Sequence, residues 1–149
     1  MSTNRARVCA AVVRQRTEAL LDHPYQRFCG LALIEQGAGT CTTRLRVGPN
    51  VTNLADNLHG GVLYSMADVT CMLATLTQLG ADEYAVSHSV QVSVLSPVAA
   101  GVEVTFEAEV LRRGRSLVFT QCHAWKPCDG TRRMVATAMI VKSLLAATK

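Results

Sequence analysis

Aromatic residues make up 5% of this 149-residue chain and charged residues 17%, and residues 51–100 contain no Lys or Arg. One Trp, three Tyr and three Phe leave few platforms for stacked bases. No run of five or more Lys or Arg is present either, so nucleic acid is not expected as a partner. Six Cys occur without a Cys-x-x-Cys. The closest pair, Cys122 and Cys128 with His123 between them, lacks the further ligands of a zinc site, so no metal is expected. At 16.0 kDa the chain is large enough to build an apolar core without staples, and the thiols are expected to be reduced. Arg5, Arg7, Arg14 and Arg16 interrupt the start before any apolar core of a secretory signal forms, which favours a cytoplasmic location. Internal repeats and low-complexity tracts are absent.

Hydrophobic residues reach 49%, the balance of a packed globular protein, and the length fits one domain over residues 1–149. The net charge of +4 is unevenly spread. Bases outnumber acids seven to three in residues 1–50 and eight to four in 101–149, while 51–100 holds four acids and no base. Basic flanks of this kind could meet a polyanion, either nucleic acid or a small phosphorylated molecule.

Val8, Ala11, Val12, Ala19 and Leu20 recur at helical spacing, which predicts an amphipathic helix from about Asn4 to Asp22, ended by His23-Pro24. Cys29 to Val47 reads as a hairpin split at Gly37-Ala38-Gly39, and Gly48-Pro49-Asn50 opens a polar loop of about ten residues. His59 to Leu79 reads as one helix closed by Gly80 and apolar on nearly every face. Asp68 near its middle argues against a membrane span, so other elements must wrap it. Val86, His88, Val90, Val92 and Val94 alternate with polar residues in a strict period of two. Val102 to Val110 and Ser116 to Trp125 form a hairpin about Arg113-Gly114. After a turn at Pro127-Cys128-Asp129-Gly130, Met134 to Val141 is a last strand. Six strands around one apolar helix predict an α+β fold, an antiparallel sheet curled on that helix.

His59-Gly60-Gly61 opens the buried helix and leaves two adjacent N–H groups bare at the positive end of its dipole, where a developing oxyanion would be stabilised. An ordinary glycine-rich helix start is the alternative. Asp68 follows nine residues later among Met66, Ala67 and Val69, where an unpaired carboxylate is costly. It either faces water or a structural hydrogen bond, or it is a cleft carboxylate able to act as general base or nucleophile on an activated carbonyl. At 1.5 Å per residue, Gly60 and Asp68 lie about 12 Å apart along the helix, beyond the reach of one carbonyl. Both can serve one site only if two copies run their helices antiparallel, as a twofold dimer does.

His59-Gly60-Gly61, six residues, then Asp68 resembles the hotdog-fold acyl-CoA thioesterases, in particular the phenylacetic-acid-degradation-type branch. The similarity runs from about Cys29 to Lys142 and includes Asn53, six residues before His59. It also takes in the strand from Val86-Ser87 to Leu95-Ser96-Pro97 and the hairpin Arg112-Arg113-Gly114-Arg115. Relatives commonly carry a glycine two positions before the His, where this chain has Asn57.

The resemblance implies a six-stranded sheet wrapped on a long central helix, preceded by an N-terminal helix. It implies homodimers that often pair into homotetramers, and hydrolysis of an acyl- or aryl-CoA to acid and coenzyme A. No separate cofactor is called for, coenzyme A being part of the substrate. Asp68 then matches the nucleophile or base and the Gly60 N–H the oxyanion donor, with Gly61 beside it at the substrate. Asn53 matches the residue that holds the carbonyl or the attacking water, and Ser87 the one that orients that water. His59 would orient the Asn53 loop or reach the substrate, and Arg112, Arg113 and Arg115 would meet the coenzyme A phosphates.

The residues alone leave other roles open: a turn Asn at 53, a solvent-facing Ser at 87, a structural His at 59 and a solvated basic turn at 112–115. Tyr64 and Met72 read as core or pocket lining, and Leu63, Met66 and Met72 as setting pocket depth. A non-catalytic acyl-CoA or lipid-binding protein and a structural oligomer are the competing functions.

Overall fold

The computed structural model describes residues 8–146. The N-terminal helix, α1, spans Ala10–Leu21 and stops at Asp22; residues 4–7 of the expected helix lie outside the described residues. Pro24 ends nothing further. It sits in the first turn of a second short helix, α2 (Pro24–Cys29), where its missing N–H would have had no helical acceptor anyway. Cys29 therefore closes a helix and does not begin a strand. Gly30, at φ +76°, turns the chain out of it.

The hairpin follows as β1 (Ala32–Gly37) and β2 (Thr40–Arg46). The central helix, α3, spans Gly60–Leu76, three residues shorter at its end than the periodicity implies, since Thr77 caps it. Four long strands complete the chain: β3 (Glu83–Val94), β4 (Glu103–Arg113), β5 (Leu117–Cys128) and β6 (Thr131–Ala146). β5 and β6 run past the expected ends because the turn between them is only Asp129-Gly130. Both residues have positive φ, the signature of a tight two-residue hairpin.

The strands form one sheet in the order β1-β2-β4-β5-β6-β3, with every neighbouring pair antiparallel. This is the sheet on a central helix that the patterning predicts. The helix-facing side chains of β4 and β6, Val104, Phe106, Ala138 and Ile140 among them, are buried against α3. Threonine hydroxyls within this core are satisfied in place. Thr43 and Thr70 bond each other at 2.8 Å, and Thr120 donates to the Ile140 carbonyl.

Two features position the functional groups. α3 is buried except along one stripe: Gly61, Tyr64 and Asp68 are exposed or half-exposed at helical spacing, with Ser65 and Met72 partly so. Leu63 and Met66 lie on the opposite side at 2% and 0% exposure, so they are core and line no open pocket. The second feature is β3, a 12-residue strand at the sheet's edge. Its Val90 and Val94 pair with the helix-facing Ile140 and Ala136, yet remain 45% and 49% exposed. They lie beyond the part of the sheet that α3 covers.

Candidate active site

Strict alternation along β3 would put Ser87 on the same side as Ser89, Gln91 and Ser93, away from the helix. The structure breaks that phase with a bulge between Ser87 and Ser89, so that Ser87 pairs with Lys142 and Ser89 with Val141 of β6. The extra residue, His88, turns Ser87 to the helix side while Val90 keeps its inward place. The Ser87 hydroxyl lies 2.7 Å from Oδ1 and 2.9 Å from Oδ2 of Asp68.

Asp68 is held from a second direction by Lys142, a residue that periodicity leaves at the tail of the last strand. The signal was present: Ala136, Ala138, Ile140 and Lys142 share one phase of β6, and the first three are buried. A lysine on that phase must find a partner inside. Its Nζ lies 2.5 Å from Asp68 Oδ1, 3.1 Å from the Asp68 carbonyl oxygen and 3.0 Å from Ser87 Oγ. The lysine side chain has no exposure, whereas that of Asp68 is 29% exposed. The carboxylate therefore opens outward and the ammonium does not.

Behind this pair sits a group of thiols. Cys71, one turn along α3, is fully buried. Its hydrogen bond with Cys122 lowers its pKa against the opposing effect of burial, helped by Thr120 and the Lys142 charge. Burial and the neighbouring Cys71 push Cys41 up to about 12. These side chains pack in the core, and none reaches the opening at Asp68.

At the other end of the stripe, the helix start is built by its own residues. His59 is the N-cap, and its Nδ1 accepts from Gly61 N at 3.0 Å. That bond occupies the Gly61 amide. Gly60 is the first helical residue, and its N–H lacks an intrahelical acceptor. A Cβ on Gly60 would lie 3.2 Å from Tyr64 Oη, so Tyr64 folds back over the helix start.

The preceding loop is a small closed turn. Asn53 Oδ1 accepts from Ala55 N at 2.9 Å and Asn57 N at 3.2 Å, and Thr52 bridges to Leu58. Among non-glycine residues described here, only Asp56 and Asp129 have positive φ. Asn57, two residues before His59, thus adopts its turn without a positive φ. With both accepted bonds on Oδ1, the amide Nδ2 of Asn53 is the group turned outward. Thr52, Asn53, Leu54, Ala55 and His59 line an open depression of about 670 Å³.

The three arginines of the β4–β5 hairpin part company. Arg113 pairs with Glu83 at 2.6 Å and donates through Nε to the Gln78 carbonyl at 3.0 Å, tying the hairpin to the end of α3 and the start of β3. Arg112 and Arg115 are exposed. No helix among the described residues is long and apolar enough to cross a membrane.

The stripe thus carries at one end a helix start whose Gly60 amide lacks an intrahelical acceptor and in its middle a fixed, open carboxylate. The sequence pattern of the thioesterase superfamily matches residues 55–132, which contain both. Human acyl-coenzyme A thioesterase 13 is 27% identical over 135 residues, 89% of this chain and 91% of that protein. A thioesterase family protein from Silicibacter pomeroyi has a similar structure, with a TM-score of 0.83 at 20% identity, covering 91% of this chain and 99% of that one. So does the Escherichia coli PaaI protein from the phenylacetic acid degradation operon, with a TM-score of 0.74 at 22% identity over 89% and 93%.

Proposed function

The chain belongs to the thioesterase superfamily, and from that premise we propose that it hydrolyses the thioester of an acyl- or aryl-CoA in a site completed by a second copy of itself. The observation that carries this reading is the single open stripe of α3, on which Gly60 and Asp68 are eight residues, about 12 Å, apart. One carbonyl cannot touch both in one chain. Two chains paired along β3, with their α3 helices antiparallel, bring the helix start of one copy to the carboxylate of the other. The unpaired edge of β3 and the exposed Val90 and Val94 beside it support that pairing. Met139 and Phe119, exposed on the far side of the sheet, offer a place for dimers to pair further.

In such a site the Gly60 amide of one copy receives the carbonyl oxygen, with the Nδ2 of Asn53 as a second donor. The Asp68 carboxylate of the other copy either takes a proton from the attacking water or attacks the carbonyl carbon itself, giving an anhydride that water then opens. The C–S bond breaks in both routes, and the thiolate of coenzyme A leaves and takes a proton. Charge developing on the carbonyl oxygen meets a fixed N–H at the positive end of a helix, which costs no reorganisation. Arg112 and Arg115, both exposed, meet the phosphates in this reading. The end of α3 at Leu76, beside which their hairpin is tied, lies eight residues, about 12 Å, along the helix axis from Asp68, a span that the pantetheine arm has to cover.

A complementation experiment tests the shared site. Gly60→Pro removes the amide at a helix position that proline suits, following His59, whose backbone is already extended. Gly60→Pro and Asp68→Asn should each lower kcat for thiol release by a factor on the order of 10² or more. Unfolded and refolded together, the two variants should recover about a quarter of wild-type activity. Half the dimers are mixed, and one of their two sites is intact. A mixture no more active than its components sinks the shared site. A wild-type protein that binds acyl-CoA by calorimetry without releasing thiol would instead be a lipid-binding relative.

A further inference from the structure

Lys142 is one of only three lysines in the chain, and its side chain has no exposure. A buried ammonium is costly. An apolar side chain of similar length would usually serve stability as well or better, so packing alone does not account for it. Each of its three hydrogens has an acceptor: Asp68 Oδ1, the Asp68 carbonyl and Ser87 Oγ.

We propose that Lys142 is the positioning residue of the reaction, fixing which oxygen of Asp68 reacts. The proposal rests on the reading of Asp68 as the reactive carboxylate. Oδ1 is engaged by both Lys142 and Ser87, while Oδ2 has Ser87 alone. Oδ2 is therefore the oxygen with lone pairs free for water or the carbonyl carbon. The bond to the Asp68 carbonyl anchors the same ammonium to the helix backbone, so the carboxylate cannot turn without breaking a three-point hold. Lys142 itself touches neither water nor substrate, being closed off behind Asp68.

The groups facing Asp68 are few. Lys142 comes from β6, Ser87 from β3 and Cys71 from the next turn of α3, with Thr120 and Cys122 of β5 behind Cys71. Lys142 is the single cation among them.

The test uses Lys142→Met, Asp68→Asn and the double variant, with an acyl-CoA that the wild type hydrolyses. Lys142→Met should lower kcat at least tenfold and leave KM within about threefold. In the Asp68→Asn background, adding Lys142→Met should change the residual rate by less than about twofold, because the lysine acts through the aspartate. Nitrogen-15 NMR of lysine-labelled wild-type protein gives a readout that does not depend on the variant folding. One of the three lysines should show a slowly exchanging ammonium, and its signal should shift in Asp68→Asn.

An unchanged kcat in Lys142→Met overturns the proposal. So does a loss of the same size in the Asp68→Asn background, or a wild-type spectrum with no protected ammonium. An active Asp68→Asn variant would remove the underlying reading of Asp68. An inactive Asp68→Asn beside a fully active Lys142→Met would remove the lysine's role alone.

Discussion

Ser87 Oγ stands within hydrogen-bond distance of both oxygens of Asp68, and it does so only because β3 carries one residue more than β6 between Ser87 and Ser89. A bulge that re-aims one polar side chain disrupts the ladder locally and gives Asp68 a second partner. It also resolves what a serine in an alternating strand leaves open: this one faces the helix.

Replacing Ser87 by Ala should therefore damage turnover more than the fold. A hydrogen bond to a charged group is worth roughly 1.5–3 kcal/mol, so kcat should fall about tenfold to a hundredfold. Ser87 is exposed but also accepts from the buried Lys142 ammonium, so the melting temperature should fall by no more than a few degrees. Ser87→Thr keeps the hydroxyl and suits a strand, and it should restore most of the rate. Steady-state kinetics on the two variants, with thermal melts alongside, check this. An Ala variant as fast as wild type would return Ser87 to a passive role.

Asn53 offers a cleaner separation of loop structure from chemistry. Its Oδ1 holds the turn through the amides of Ala55 and Asn57, whereas only its Nδ2 can donate to a carbonyl or a water. Asn53→Asp preserves the acceptor and deletes the donor. Circular dichroism and the melting curve should be unchanged, while kcat/KM falls by a factor on the order of 10 to 10², the usual loss for an oxyanion donor or somewhat less. Equal activity in the two proteins would assign Asn53 to the turn alone.

The elements that periodicity made visible are those with long, one-sided patterns. α3 follows from its apolar run and its closing glycine, and the β4–β5 hairpin from Val102 to Trp125. α2 was hidden because six residues behind a proline carry no period. The bulge at His88 was hidden because the Val/Ser alternation continues through it; only the pairing with β6 exposes the phase change. Asp68 and Gly60 were legible as candidates because a mid-helix carboxylate and a glycine pair are each odd in an apolar helix. Lys142 was legible only in part: its phase with Ala136, Ala138 and Ile140 marks an inward lysine, but that its partner is Asp68 is a fact of tertiary packing. The Gly61 amide was assigned to substrate with Gly60, but His59 occupies it, a detail of rotamer and cap that no spacing encodes.

The hairpin arginines should separate into one structural and two substrate-linked residues. Arg113 reaches Glu83 and the Gln78 carbonyl with its side chain only 24% exposed, and Glu83 is 13% exposed. Arg113→Gln leaves a largely buried carboxylate without this guanidinium, and should cost about 1–3 kcal/mol. In a chain of this length that corresponds to a melting temperature lower by roughly 2–12 °C. Arg112→Gln and Arg115→Gln touch exposed side chains, so their melts should match wild type. Their effect should instead be a several-fold rise in KM for acyl-CoA that shrinks as salt is added, because exposed guanidinium and phosphate charges are screened within about 10 Å at 0.1 M salt. Truncating the substrate to an acyl-pantetheine, which lacks the phosphates, should abolish the difference between these two variants and wild type. Persistence of the KM rise with the truncated substrate would place the phosphates elsewhere on the protein.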